Sequence, residues 1–360
     1  DGYALTGNYV CGNFTLGDGG GIGHLGRSED GLIANNTIIF NESFFQGGTV
    51  NGGGILIAGQ APLGAATIGP GSGPVTINAN LILGNAAGAG DGGGIRTSRT
   101  NSDTINIFNN MIVNNVAALA GGGISLQDTA SSNIMYNTIA HNDSTATAGE
   151  AFAPGSPTQS TAQPAGIVSR AHIQPLGAPG FSNPELVSNI IWQNRSFYFF
   201  LNQVADPPVF GLLPDVGAGT APVYWDLGAP VGQLLNPEDS ILTDTGGYPG
   251  SNNNRRIDPQ FVRPYFNGDR GQTILFPEIT TAIQAPPAFD EGGNFINLRF
   301  GPLTLTDPAT GLLFGDYHIG RNLNGGDRDV VDDFSELLND YDGDSRSPTG
   351  QRPDEGADEG

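Results

Sequence analysis

The chain of 360 residues carries 14 basic and 36 acidic side chains, for a formal net charge of −22. Every basic residue is Arg. A surface this acidic repels nucleic acid and anionic lipid, which excludes both as general partners. The 56 Gly and 25 Pro, with abundant Asn and branched apolar residues, favour strands and tight turns. No run of 18 apolar residues exists, so the sequence predicts no membrane span.

A Gly-Gly-Gly-Ile motif recurs through the first part of the chain. Gly permits a backbone with positive φ and a close approach of neighbouring chains, and the Ile that follows is expected to point into a core. The four copies and one degenerate copy are Gly19–Ile22, Gly52–Ile55, Gly92–Ile95, Gly121–Ile124 and Pro164–Ile167.

A second motif, Asn-x4-Asn, lies between the Gly triplets. Its five copies are 36–41, 80–85, 110–115, 137–142 and 189–194. Successive first Asn residues are 44, 30, 27 and 52 positions apart, and the short values suit one turn of a three-strand solenoid. We expect a stacked column formed by Ile38, Ile82, Ile112, Ile139 and Ile191. The Asn residues are expected in sharp bends with left-handed backbone, and joined from one repeat to the next in ladders; a row of sugar-binding Asn is the alternative.

The motifs predict an all-β fold, a right-handed parallel β-helix with loop insertions and an irregular C-terminal region. Residues 1–194 form the regular repeats. The longer spacings place insertions near residues 59–73 and 144–164, where Gly, Pro, Ala, Ser and Thr replace the strand pattern. Such insertions often gather on the binding side of a repeat array.

Residues 195–360 are interpreted as closing repeats, insertions and an acidic tail, with a separate second domain left open. They contain an aromatic run at Phe197–Phe200, a strand at Ile257–Val262, an irregular excursion over 272–300 and a short helix at Asp332–Leu338. The aromatic run either packs under an insertion or forms an exposed patch for a partner or a second copy. The open ends of a solenoid also permit self-association.

The tail contains one metal-binding pattern. Asp340, Asp342 and Asp344 alternate around Gly343, as the oxygen ligands of calcium loops do, which predicts a structural Ca²⁺ site. The twelfth position is Gln351, so the pattern is not an EF-hand. The alternative is an acidic turn held by Arg346 and Arg352.

Catalytic patterns are weak. The Asp332-Asp333 pair lies outside the regular repeats, and each of the four His residues is interpreted as a turn or surface residue. A polysaccharide lyase needs a base with calcium or Arg. Three Arg residues fall on neighbouring repeats without a supporting acidic cluster: Arg96, Arg99 and Arg170.

These motifs resemble bacterial secreted right-handed β-helix proteins of the pectate-lyase-like superfamily, in particular choice-of-anchor-type surface proteins. Ile257–Val262 resembles the family's "ADPLFV" strand and Gly315–Ile319 its "DYHL" strand. The ending Asp340–Arg346 with Asp354–Glu359 resembles "D-x-DG-x-x-R…D-x-GADE". Residues 321–327 depart from the family's "SPAIDAG" stretch.

The resemblance implies secretion and display on a bacterial cell surface, with an anchoring segment after the GADE motif. The interpretation favoured by the sequence is a non-enzymatic extracellular or cell-surface protein, structural or adhesive, in an assembly or filament. Its expected partners are other surface proteins or copies of itself, bound through the aromatic segment or the solenoid ends. The alternative is a carbohydrate-active enzyme or a glycan-binding module, whose partner is a polysaccharide.

Overall fold

A computed structural model describes residues 1–45, 47–64, 67–202, 209–214, 222–264, 274–275, 315–320, 334–346 and 354–358. In these residues the chain is all-β and is built from three stacked parallel sheets. Consecutive passes of the chain add one strand to each sheet in turn, so that neighbouring strands in a sheet come from successive repeats.

Sheet A has two rows of strands that merge in its middle. The first row is β1 (Tyr3–Thr6), β5 (Gly31–Ala34), β9 (Val75–Asn78), β12 (Ile95–Phe108), β15 (Ile124–Met135), β19 (Glu185–Val187) and β26 (Pro237–Glu238). The second row is β4 (Ile22–Leu25), β8 (Ile55–Ala58), the first halves of β12 and β15, β18 (Ile167–Ser169) and β25 (Leu227–Gly228).

Sheets B and C are made of shorter strands. Sheet B is β2 (Tyr9–Cys11), β6 (Thr37–Ile39), β10 (Leu81–Leu83), β13 (Met111–Val113), β16 (Thr138–Ala140), β20 (Ile190–Trp192) and β27 (Ile241–Leu242). Sheet C is β3 (Phe14–Thr15), β7 (Glu42–Ser43), β11 (Ala86–Ala87), β14 (Val116–Ala117), β17 (Asp143–Ser144), β21 (Arg195–Ser196) and the antiparallel β24 (Val223–Tyr224).

The predicted aliphatic column is confirmed in sheet B. Ile38, Ile82, Ile112, Ile139 and Ile191 are in register from strand to strand and fully buried. The Ile residues of the Gly triplets form a second column in sheet A, and both columns belong to one hydrophobic core. Each Å² of apolar surface removed from water stabilises the fold by about 25 cal/mol, so this core is the main source of stability.

The Gly triplets are required by backbone geometry. The first Gly of each complete triplet has positive φ, between 63° and 77°. The second approaches the chain of the next repeat: a Cβ at Gly53 would lie 2.4 Å from the carbonyl carbon and oxygen of Ala86. Any larger residue would force the repeats apart at that point.

The predicted Asn ladders are confirmed and extend beyond the five motifs. Each Asn side chain donates from Nδ2 to Oδ1 of the next rung at 2.8 to 3.1 Å. The first ladder is Asn8, Asn36, Asn80, Asn110, Asn137 and Asn189, and the second is Asn13, Asn41, Asn85, Asn115, Asn142 and Asn194. The first ends on Ser240 and the second on Asp226.

The prediction that the ladder Asn residues themselves adopt left-handed backbone is wrong. The residue before each rung has positive φ, whether it is Asn109, Tyr136 or His141. The ladder explains this difference, because each rung's backbone N–H also donates to Oδ1 of the next rung, as Asn110 does to Asn137 at 3.0 Å. The bend is therefore made one residue earlier.

The later strands are short. β27 in sheet B and β25 and β26 in sheet A extend the stack after Asn194, and β22 (Tyr198–Asn202), β23 (Val209–Leu213) and β29 (Ile274–Leu275) form a small antiparallel sheet. β28 (Phe261–Arg263) pairs with β30 (Asp316–Ile319). The described residues include three 3₁₀ turns, Gly149–Ala151, Gly250–Asn252 and Ser335–Leu337.

The predicted helix at Asp332–Leu338 is reduced to the single 3₁₀ turn within its described part. The excursion over 272–300, apart from β29, lies outside the described residues, as do 321–327, Asp332-Asp333, Gln351 and Arg352.

Candidate metal centre

Three C-terminal segments lie outside the core, against sheet B and against the adjoining ends of β12, β15 and β19 in sheet A. We call residues 315–320, 334–346 and 354–358 the strap. In the short strands of sheet B, alternate residues face away from the Ile column. Tyr317 and Ala357 of the strap pack there against a cluster that includes Ile39, Met111 and Val113.

Arg346 is the main anchor of the strap. Its side chain is fully buried, donates from Nε and Nη2 to Oδ1 of Asn109 at 3.2 and 3.1 Å, and stacks 4.3 Å over the ring of Tyr136. Its guanidinium also reaches the carbonyl oxygens of Asp354 and Gly356. Arg346 therefore joins both halves of the D-x-DG-x-x-R…GADE ending to the repeats.

Two further contacts hold the strap. The Tyr317 hydroxyl lies 2.9 Å from Nδ1 of His141 and donates to Oδ1 of Asn114 at 2.8 Å. Glu355, fully buried, pairs with Arg255. Burial raises the pKa of Glu355, and the hydrogen bond and charge of Arg255 oppose that shift.

His318, Asp342 and Asp358 converge at the strap surface. One ligand atom from each lies within 4.8 Å of the other two, and this is the one group of three metal-ligating side chains with that spacing in the described residues. Nε2 of His318 is 3.0 Å from Oδ2 of Asp342. Asp358 is only 6 % exposed and accepts the backbone N–H of Ile319 at 3.0 Å.

The other ring nitrogen of His318 is already engaged. Nδ1 lies 2.5 Å from Oδ1 of Asp316, two residues earlier in β30. With the proton on Nδ1, the lone pair of Nε2 is available on the side of Asp342. This is the arrangement of a metal-binding imidazole that a second carboxylate orients.

The cluster concentrates negative charge. Burial raises the pKa of Asp358 to about 6, and the charges of Asp340 and Asp342 add to the shift. Burial lowers the pKa of His318, but the hydrogen bond that its Nδ1–H donates to Asp316 and the charges of Asp358 and Asp342 outweigh burial and leave that pKa raised.

The structure divides the residues predicted to bind calcium. Oδ1 of Asp340 accepts the backbone N–H groups of Asp342 and Asp344 at 3.0 and 2.8 Å, so this carboxylate organises its own loop. Asp344 is exposed. Of the three, Asp342 alone joins the His318 cluster. The DYHI and GADE segments are recognisable in the sequence by their resemblance to a family, but no local spacing predicts that His318 and Asp358 are ligands.

Two of the three Arg residues that could serve lyase chemistry, Arg96 and Arg170, form a different cluster. Arg170 makes a bidentate pair with the buried Asp91 at 2.9 and 2.6 Å, and Arg96 approaches the same carboxylate at 3.4 Å. Arg96 is itself buried and donates to the hydroxyl of Ser125 at 2.5 Å. These contacts join successive repeats rather than line a cleft.

The other His residues are placed as follows. His24 is buried in β4 beside Tyr3, which corrects its interpretation as a turn or surface residue. His141 forms a ladder turn and is buried under the strap. His172 is half-buried near the insertion that follows β18.

No protein-family model, curated protein or solved structure matches this chain. Among the helices of the described residues, none has the length and apolar character needed to cross a membrane.

Proposed function

We propose that the chain is a right-handed parallel β-helix that serves as a structural or adhesive component of a secreted or bacterial cell-surface assembly. The regular passage through three parallel sheets supports the β-helix, and crossovers between parallel strands are right-handed in almost all proteins. The continuous ladders and columns pack each repeat on the next.

The observation that carries the proposal is the continuity of the Asn ladders and Ile columns, which makes an array that a further repeat can extend. The strands of the first repeat of this chain, β1 to β4, offer such an edge. Each of these strands pairs on one side with the second repeat and, within the described residues, on no other side. Its apolar side chains are exposed: Tyr9 by 57 %, Phe14 by 58 % and Leu25 by 73 %. Unpaired strand edges with apolar side chains are sites of strand addition.

The ladders give this end a direction. Asn8 and Asn13 donate to the second repeat, and no described residue donates to their own Oδ1 atoms. An added strand therefore fits best when its Asn or other amide side chains donate to these two oxygens. Another surface protein whose ladder ends on Asn meets that requirement. A second copy of the chain would instead pair through the backbone groups of its own strand edge, because its ladders end on Ser240 and Asp226.

The test compares two double variants of the full chain. The first variant, Tyr9→Lys with Phe14→Lys, should abolish concentration-dependent association, because charged side chains block edge pairing. Lys at Leu63 and Val231, which are fully exposed elsewhere, adds the same charge and should leave association intact. Sedimentation velocity over a protein concentration series measures the result. A wild-type chain that stays monomeric alone and with surface extracts, or equal loss in both variants, would refute the proposal.

A second candidate is a glycan-binding module or a carbohydrate-active enzyme. A cleft of about 440 Å³ is lined by Phe44, Phe45 and Thr49, with Glu150 at its side. Aromatic side chains beside one carboxylate suit a sugar ring, whereas glycosidases use a pair of carboxylates. Oligosaccharides or unsaturated uronates released from a panel of acidic polysaccharides would favour the enzyme and count against the structural proposal.

A further inference from the structure

The His318 cluster has the composition of a site for a divalent transition metal. An imidazole nitrogen with two carboxylate oxygens suits Zn²⁺ and similar ions, whereas Ca²⁺ prefers oxygen ligands alone. We propose that His318, Asp342 and Asp358 bind a divalent ion of the Zn²⁺ type, with Asp316 orienting the imidazole. The site goes beyond the proposed scaffold function and does not depend on it.

The three ligand atoms lie slightly farther apart than a bound ion requires. Zn²⁺ bonds are about 2.0 to 2.2 Å long, so two ligands of one ion lie at most about 4 Å apart. The three ligand atoms lie within 4.8 Å, and the 3.0 Å separation of His318 and Asp342 already falls inside that span. The Asp342 side chain is 47 % exposed, so it has room to rotate and shorten its own distances to the other two ligands.

The three ligands differ in mobility. Asp358 is buried and fixed by the N–H of Ile319, and His318 is fixed by Asp316. Asp342 lies on the exposed side, where an ion enters from solvent. Three protein ligands leave one position of a tetrahedral ion for water.

The position of the cluster gives the ion a structural consequence. The ligands come from all three segments of the strap and are separated by 24 and 16 positions in the sequence. A bound ion would therefore connect the DYHI strand, the Asp340–Asp344 loop and the GADE ending. Because the ion binds only the assembled strap, it would stabilise that arrangement by mass action.

The experiment uses the full chain after chelation and dialysis, titrated separately with Zn²⁺ and Ca²⁺ by calorimetry. We expect one Zn²⁺ per chain. His318→Ala and Asp342→Asn should each weaken Zn²⁺ binding at least tenfold. Asp344→Asn, a change in the same loop outside the cluster, should leave it unchanged.

A spectroscopic readout identifies the ligands directly. Co²⁺ in place of Zn²⁺ should give a visible spectrum of nitrogen and oxygen ligation in the wild type and in Asp344→Asn, and lose it in His318→Ala. Circular dichroism checks that each variant keeps its sheets. Absent Zn²⁺ binding, equal losses in His318→Ala and Asp344→Asn, or binding of Ca²⁺ alone would each overturn the proposal. The last result would instead support the calcium loop predicted from the sequence.

Discussion

The repeats and the strap are stabilised in opposite ways. In the repeats the same contact recurs: an Asn donates to the next Asn, and an Ile lies on the next Ile. In the strap each contact occurs once, as for Arg346 on Asn109 and Glu355 with Arg255. Repetition makes the first region recognisable from the sequence, and changes at its end repeats should cost little stability. The strap depends instead on a few charged side chains that must all be buried together.

Two neighbouring residues in the turn after β12 stabilise different regions. Asn110 is a ladder rung, and Asn109 holds the strap. Changes at these two positions should therefore damage different parts of the molecule.

The largest effect is expected for Asn110→Ala. The change removes the acceptor of the backbone N–H and the side chain of Asn80, both buried, at a cost of roughly 2–5 kcal/mol of unfolding free energy. Asn8→Ala removes an exposed first rung and should cost less than about 1 kcal/mol. Urea unfolding measures both values. Equal losses would show that the ladder does not stabilise the repeats cooperatively.

A smaller and more local effect is expected for Asn109→Gly. Gly tolerates the positive φ of 54° at this position, so the backbone stays unstrained while Arg346 loses its acceptor on the repeats and keeps those on Asp354 and Gly356. Amide hydrogen exchange should increase in 334–346 and 354–358, and the amides of sheets A to C should keep their protection. Loss of protection throughout the sheets would mean that the strap and the repeats unfold as one unit.

The smallest effect is expected at the end of the second ladder. Burial raises the pKa of Asp226, and hydrogen bonds from Asn194 and Thr243 oppose that shift. The folded protein therefore holds this proton more tightly than the unfolded chain, and its stability falls as pH rises from the ordinary Asp pKa of about 3.9 towards the raised value. Asp226→Asn keeps an acceptor for Asn194 and removes the titration.

The unfolding free energy of Asp226→Asn relative to wild type should therefore increase with pH through that window and then become constant. Chemical denaturation at several pH values between 4 and 8 measures it. A difference that does not change with pH would show that Asp226 stays charged throughout.

The repeats could be predicted because their physical requirements are local. A Gly triplet before an Ile and two Asn residues five positions apart each determine a turn or a rung without reference to distant residues. The left-handed positions could not be predicted, because Phe40 and Tyr136 belong to residue types that avoid such backbone. Each rung's backbone N–H must point at Oδ1 of the next rung, and this requirement overrides the preference of the residue before the rung.

The candidate metal site shows the opposite case. Asp340, Asp342 and Asp344 form a visible local pattern, but the cluster takes one of them and combines it with His318 and Asp358. Which of these carboxylates joins the cluster depends on where the three strap segments pack against the repeats. That packing is set by Arg346 and Tyr317 reaching residues more than 170 positions away, which no local spacing reveals.

The ladders also separate the length of the polypeptide from the length of the molecule. The step from Asn80 to Asn110 takes 30 residues and the step from Asn137 to Asn189 takes 52. Both advance the stack by one strand spacing, about 4.8 Å. Insertion of a loop therefore widens the molecule without lengthening it, whereas duplication of one Gly-triplet and Asn-x4-Asn unit extends its axis by a fixed increment. In a protein of this kind, the length along the stack depends on the number of repeats, and changes in loop sequence leave that length unchanged.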